Sequence, residues 1–196
     1  MTFPVVYFYD HSGETRSLDE LSALLGEDRF NYCKKMKNEK AGLCSAYAFL
    51  LLRYALKKEY GINDVPTFIR GEQDKPFLRN TPEIFFNLSH IRTCEVCAVS
   101  KSPVGVDIQD IRPLTMRVGE KFLTKKEYDK TALINDTDEL SKELCRIWCI
   151  KESYGKFTGK GFVEGFRDFE ADDLVDEGKV RFTFRNGCFI SVCWES

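Results

Sequence analysis

Apolar residues along this chain follow two periods. From residue 38 to 60, Leu43, Tyr47, Leu50, Leu51 and Tyr54 recur at helical spacing. Asn38 stands ahead of them as an N-cap and Gly61 follows as a C-terminal stop, so the pattern predicts one long helix. A second is predicted over 138–157. At 100° per residue, Leu140, Leu144, Ile147, Trp148, Ile150, Tyr154 and Phe157 form a single broad apolar arc, ending at Gly159-Lys160-Gly161.

Short apolar runs at 5–9, 85–88, 94–100, 104–108, 180–185 and 188–194 predict strands. The last two are joined by Asn186-Gly187, a strong hairpin signal. Thr124 and Glu127 make a capping box, with Leu123 placed to staple onto Tyr128. Each half of the chain therefore carries one long helix and several strands, and the halves meet at Ser102-Pro103. The expected fold is α+β, with two lobes of similar content, 1–102 and 103–196, packed side by side.

Composition narrows the classes of function. Hydrophobic residues are 43% of the chain, enough for a core, so disorder is excluded. The net charge of −2 lacks the basic excess of a nucleic-acid binder, so any anionic ligand must meet a local basic patch. The N-terminus has no basic stretch followed by an apolar one, and the longest apolar run, 46–52, is too short to span a bilayer. A soluble, cytoplasmic protein with no membrane contact is expected. The eight cysteines are scattered, and the single C-x-x-C, Cys94 to Cys97, falls on a predicted strand where side chains three apart face opposite ways. No second pair exists to complete a zinc ribbon. Free thiols packed as small hydrophobes are expected.

Three positions on the second helix stand out. Glu152 and Lys156 lie four apart on one flank of the apolar arc, where the plain reading is a surface ion pair worth a few tenths of a kcal/mol. Lys151 falls inside the arc and has the length to snorkel out of it. In the strand Val104-Gly-Val-Asp-Ile108, Asp107 sits between apolar neighbours and needs a metal or a basic partner.

Taken together, Val104-Gly-Val-Asp107 followed by Trp148-Cys-Ile-Lys-Glu-Ser-Tyr-Gly-Lys156 resembles the signature of the 4′-phosphopantetheinyl transferases. Lys75-Pro-Phe77 is similar to that family's G-K-P segment, with Asp74 where the glycine usually stands. Phe86-Asn-Leu-Ser-His90 is similar to its N-[IL]-S-H segment, and Phe122-Leu-Thr-Lys-Lys-Glu127 to a segment running from phenylalanine to glutamate. Because Gly105-Val-Asp107 follows a complete first half, the chain resembles the two-lobed, surfactin-synthetase-activating type, which implies a pseudo-dimer within one chain, an active site between the lobes, and a monomer.

The resemblance implies transfer of the phosphopantetheine arm of coenzyme A to a serine of an acyl or peptidyl carrier protein, with Mg²⁺ as cofactor and 3′,5′-ADP as product. Asp107 and Glu152 would hold the metal, Glu152 would also act as general base, Lys156 would stabilise the leaving group, and Lys75, Ser89 and His90 would hold the phosphates of coenzyme A. The first lobe would contribute to coenzyme A binding and the second would bind metal and catalyse. Gln109 stands where a second acidic metal ligand is usual. Leu43 stands near the place of an arginine for the 3′-phosphate, for which Lys34, Lys35, Lys37 or Lys40 could substitute. Lys125 and Lys126 are candidates for meeting an acidic carrier helix. Two other readings remain: a carrier-binding module impaired through Gln109, and another Mg²⁺-dependent pyrophosphate enzyme.

Overall fold

The two long helices form where the apolar periodicity places them and stop at their glycines. The computed structural model describes residues 3–71, 75–159 and 165–195; Asp74, Lys160 and Gly161 lie outside them. In chain order the elements are β1 (Val5–Asp10), α1 (Ser22–Leu25), α2 (Glu27–Lys34), α3 (Glu39–Tyr60), β2 (Phe68–Arg70), β3 (Pro76–Leu78), β4 (Phe85–His90) and β5 (Cys94–Ser100), then β6 (Val104–Asp110), α4 (Met116–Gly119), α5 (Lys125–Thr131), α6 (Thr137–Thr158), α7 (Ala171–Asp176), β7 (Val180–Arg185) and β8 (Cys188–Trp194). Asn38 caps α3 by accepting from the amide of Ala41 at 2.9 Å, and Asp136 caps α6 by accepting from Asp138 and Glu139. Gly61 and Gly159 close the two helices at φ 70° and 73°, a left-handed conformation that costs glycine little.

Two three-stranded sheets, ordered β1-β5-β4 and β6-β8-β7, are antiparallel throughout; β2 and β3 form a separate antiparallel pair. Residues in β5 alternate between two cores, as the period of a strand requires. Cys97 and Val99 face Leu51, Leu52, Ala55 and Leu56 of α3. Cys94, Val96 and Ala98 face the other sheet, against Val104, Val106, Ile108, Cys188 and Ile190. Cys94 and Cys97 thus point to opposite faces, and all eight cysteines are free and buried. On its far side, the second sheet carries α6, whose apolar arc joins Phe122, Leu123, Phe166, Leu174 and Val180 in a third core. Among the described residues no helix is long and apolar enough to cross a membrane.

The apolar stripe expected for α3 needs correction. Tyr54 is 50% exposed, whereas Ala46, Phe49, Leu52 and Leu56 are buried. The helix is covered on two sides, by β5 and by the short α1 and α2, so no single stripe describes it. Those short helices escape sequence periodicity because one or two turns bury too few residues to repeat. The capping box of α5 forms with both bonds, Glu127 N to Thr124 Oγ1 at 3.1 Å and Thr124 N to Glu127 Oε2 at 2.9 Å.

One glycine sets the distance between β6 and α6. A Cβ on Gly105 would collide with the carbonyl oxygen of Ser153 and the backbone nitrogen of Phe157, and would lie 2.9 Å from the Cα of Phe157. All three obstacles are backbone, so no side-chain rotation relieves them. Along the facing stripe of α6, Cys149 and Ser153 are small and buried. The Cys149 thiol donates to the carbonyls of Asp107 and Phe189, and the Ser153 hydroxyl pairs with that of Ser191 at 2.8 Å. Gly105→Ala should destabilise the fold by about 1–3 kcal/mol or more, the cost of overpacking a close-packed contact. Chemical unfolding of both proteins measures it.

Candidate active site

The close approach at Gly105 brings a polar cluster together where β4, β6 and α6 meet. β4 and β6 are edge strands of different sheets, joined through side chains. Asn87 Oδ1 accepts from the amide of Val106 at 2.9 Å, and the Ser89 hydroxyl donates to Asp107 Oδ1 at 2.7 Å. Asn87 and Ser89 share a face of β4 because they are two apart. The role of Asn87 was legible only as part of the N-L-S-H segment, since nothing in sequence shows which backbone amide its side chain meets.

Lys156, near the C-terminal end of α6, completes the cluster. Its Nζ donates to Asp107 Oδ1 at 2.6 Å, to Ser89 Oγ at 2.9 Å and to the Val106 carbonyl at 3.2 Å. Its ion pair is therefore with Asp107 on β6, which corrects the expectation of a surface pair with Glu152. One turn earlier on the helix, Glu152 has a buried Oε1 with no hydrogen-bond partner among the described residues. Burial first, and then the charge of Asp107, push its carboxyl up to about 7, with Lys156 opposing. Gln109 shares the face of β6 with Asp107 and is buried. Its Nε2 donates to the carbonyl of Asp110 at 3.0 Å and to Asp110 Oδ1 at 2.9 Å, so its carbonyl oxygen is the atom it can offer to a ligand.

The other expected site residues lie on the rim. His90 is the last residue of β4 and its ring is exposed. Crowding by surrounding protein and then the Lys156 ammonium lower its pKa, with Asp107 opposing. Lys75 is not in the Ser89–Asp107–Lys156 cluster. Its Nζ donates to the carbonyls of Lys156 at 2.8 Å and Phe157 at 3.4 Å, at the negative end of α6. It lines a cavity of about 370 Å³ with Phe77, Phe85, Pro103 and Phe157.

Lys151 does not take the route to solvent that its length leaves open. It is 0% exposed, and its ammonium donates to Glu127 Oε2 at 2.6 Å and to the carbonyls of Phe122 at 3.0 Å and Phe166 at 2.6 Å. Three donors meet three acceptors, so the buried charge is fully satisfied. Glu127 also accepts from the amide of Ala171 at 2.8 Å. A single ion pair thus fastens α6 to α5, to the loop before it and to the start of α7, and holds the helix from which Glu152 and Lys156 project. Lys125 makes the plain i,i+4 pair with Asp129, at 2.5 Å, while Lys126 is exposed beside it. Lys34 pairs with Asp19 at 3.0 Å.

Residues 103–196 match the family model described as the 4′-phosphopantetheinyl transferase superfamily. The chain is 28% identical over 176 residues to a 4′-phosphopantetheinyl transferase of Bacillus subtilis, covering 88% of this chain and 78% of that relative. It is 32% identical over 132 residues to the 4′-phosphopantetheinyl transferase psf-1 of Bacillus pumilus, covering 67% and 56%. It is 31% identical over 153 residues to the 4′-phosphopantetheinyl transferase gsp of Aneurinibacillus migulanus, covering 78% and 63%.

Removing Glu127 leaves Lys151 buried without its counter-charge. Glu127→Leu should therefore cost about 3–5 kcal/mol of folding stability, with part of the loss recovered in the Glu127→Leu, Lys151→Met double variant; urea unfolding of the three proteins checks both signs. The raised pKa of Glu152 makes a second prediction. Between pH 4.5 and about 7 the folded chain keeps a proton on Glu152 that the unfolded chain has released. Its contribution to stability therefore falls as pH rises through that window. In chelator, Glu152→Gln should flatten this part of the stability profile and be the more stable protein above pH 7, as read by thermal unfolding across pH.

Proposed function

This chain belongs to the 4′-phosphopantetheinyl transferase superfamily, and from that premise we propose how its residues move the phosphopantetheine arm of coenzyme A onto the serine of an acyl or peptidyl carrier protein. The observation that carries the reading is the buried, unpartnered carboxylate oxygen of Glu152 beside Asp107, with Lys156 one helical turn away on the same cluster.

Two carboxylates and an amide oxygen form an all-oxygen donor set, which fits a hard divalent cation. The unpartnered Oε1 of Glu152 is the feature such an ion would satisfy. Asp107, Glu152 and the carbonyl oxygen of Gln109 would hold Mg²⁺, which when bound neutralises charge on the pyrophosphate of coenzyme A. Gln109 brings no charge to that set, so the donors carry two negative charges rather than three.

In the reaction, the carrier serine hydroxyl attacks the β-phosphorus. The bond from that phosphorus to the bridging oxygen breaks, and 3′,5′-ADP leaves. Glu152 would take the serine proton, directly or through a water, in the role of a positioned general base. Lys156 places a positive charge where the leaving pyrophosphate oxygen gains negative charge. His90 offers a hydrogen bond to phosphate oxygens from β4, and Ser89 would do so by turning its hydroxyl from Asp107. Lys75 reaches the same rim from the β2–β3 side, and its bonds to the last carbonyls of α6 support a second role in holding that helix end.

We further propose that the two halves are lobes of a pseudo-dimer, 1–102 giving contacts to coenzyme A and 103–196 the metal ligands and catalytic groups. Supporting this, the order β1-α3-β4-β5 is repeated by β6-α6-β7-β8, both long helices have 22 residues, and each sheet sets its first strand beside its last. A monomer acting in the cytoplasm, on protein rather than nucleic acid, goes with that arrangement. A catalytically impaired carrier-binding module is not favoured, because it gives no reason to keep Glu152 Oε1 buried and unpartnered.

Incubation of the chain with coenzyme A, Mg²⁺ and a panel of apo-carriers should add the mass of one phosphopantetheine to a carrier serine, read by intact mass spectrometry. Glu152→Gln should lower the rate by about 10²–10⁴-fold with the fold retained. No mass gain on any carrier by folded protein overturns the assignment, and near-normal turnover in the variant overturns the role of Glu152.

A further inference from the structure

A second polar cluster lies on the α3 side of the first sheet, away from the residues assigned to transfer. His11 follows the end of β1, Cys44 sits in the second turn of α3, and Glu95 is in β5. The imidazole nitrogen, the thiol sulfur and a carboxylate oxygen of these three all lie within 4.8 Å of one another. Glu95 is 0% exposed, and neither of its carboxyl oxygens has a hydrogen-bond partner among the described residues. His11 Nε2 comes within 3.0 Å of Oε1 but without the alignment of a hydrogen bond, and is itself unpartnered.

A wholly buried carboxyl group with two unsatisfied oxygens is costly and calls for a ligand. Burial first, and then the charge of Asp10, push the Glu95 carboxyl up to about 9, and a cation placed against it would offset both, while the Lys40 charge also reaches His11 and Cys44. Cys44 Sγ has only long contacts, 3.8 Å, to the carbonyls of Ile91 and Arg92. One turn further along α3, the Tyr47 hydroxyl is also buried and unpartnered, and its ring stacks on that of His11 at 4.7 Å. Nitrogen, thiolate and carboxylate donors on three different elements make a borderline-soft set of the kind zinc takes, with a fourth position for a water.

We propose that His11, Cys44 and Glu95 bind one zinc-class divalent transition metal ion, structurally and separately from the Mg²⁺ site. Binding expels the thiol proton of Cys44, and the proton of Glu95 where it is held, to solvent. The ion then sits among one thiolate, one carboxylate and one neutral imidazole, which cancel its charge. It ties the end of β1, the start of α3 and β5 together.

Cobalt(II) is the probe, because a thiolate ligand gives an intense near-ultraviolet charge-transfer band that oxygen ligands do not. That separates this site from Asp107 and Glu152, and the readout is independent of transferase activity. Chelator-stripped full-length protein titrated with Co²⁺ should show the band, saturating at one equivalent and displaced by Zn²⁺. Cys44→Ser should abolish it. Glu95→Gln, close in shape, should weaken Zn²⁺ in competition with a chromophoric chelator by at least about tenfold, the loss that removing even an outer partner of a metal ligand causes. Circular dichroism confirms that each variant is folded. The proposal is overturned if folded wild-type protein gives no thiolate band at saturating Co²⁺, if the band survives in Cys44→Ser, or if Zn²⁺ binds folded Glu95→Gln undiminished.

Discussion

The contact of α6 backbone with β6 backbone at Gly105 governs the geometry of the whole second half. Because no side chain stands between them at that point, the helix lies unusually deep on its sheet. Cys149 and Ser153 must then be small, and both spend their polar atoms on the sheet they touch. Glu152 and Lys156 project beside that stripe and reach the face of β6 that carries Asp107. A bulkier residue at any of these positions would lift the helix and pull the cluster apart. The small residues of the signature are thus explained by packing, and its charged residues by what that packing brings together.

The site is built from two kinds of buried charge that are handled differently. Lys151 is fully paired: three donors, three acceptors, one of them a carboxylate whose remaining capacity serves the caps of α5 and α7. It is neutralised, rigid and unavailable, and it fixes the orientation of α6. Glu152, the next residue, is half-buried, with its Oε1 buried and without a hydrogen-bond partner among the described residues. Its neighbour Asp107 repels it, and Lys156 spends its ammonium on Asp107 and Ser89. Two adjacent residues of one helix therefore carry opposite duties because they point into differently furnished surroundings. The strain of leaving Glu152 unpaired is concentrated where a proton or a cation would relieve it, which is the pattern expected of functional rather than structural charge.

The first half supports this arrangement through β4. Its residues alternate between two tasks: Phe86 and Leu88 pack on the α3 side, while Asn87 and Ser89 bind β6 and Asp107. The two sheets share a core of small and branched residues, so the edge of one sheet is held against the edge of the other with little room for play. Polar side chains bridging such an edge replace the missing ladder bonds and are specific in register, since Asn87 accepts from one particular amide.

Periodicity, caps and turn residues located both long helices and six of the eight strands among the described residues, because those signals are local: Asn38, Gly61 and Gly159 act on their own helix ends, and Asn186-Gly187, both at positive φ, makes its own hairpin. The signature residues named the chemistry without their contacts. What sequence could not decide was which charge meets which. Spacing offered Glu152 and Lys156 as a pair and Lys151 a route to solvent; tertiary packing gave Lys156 to Asp107 and Lys151 to Glu127, and left one oxygen of Glu152 without a hydrogen-bond partner among the described residues. A helix of this chain has neighbours on several sides, and the partner of a charged side chain is set by elements 20 to 80 residues away that only the fold brings near. The cluster of His11, Cys44 and Glu95 is the extreme case: three residues without any common spacing, made neighbours by a strand, a helix and a second strand that meet only once the first half has folded.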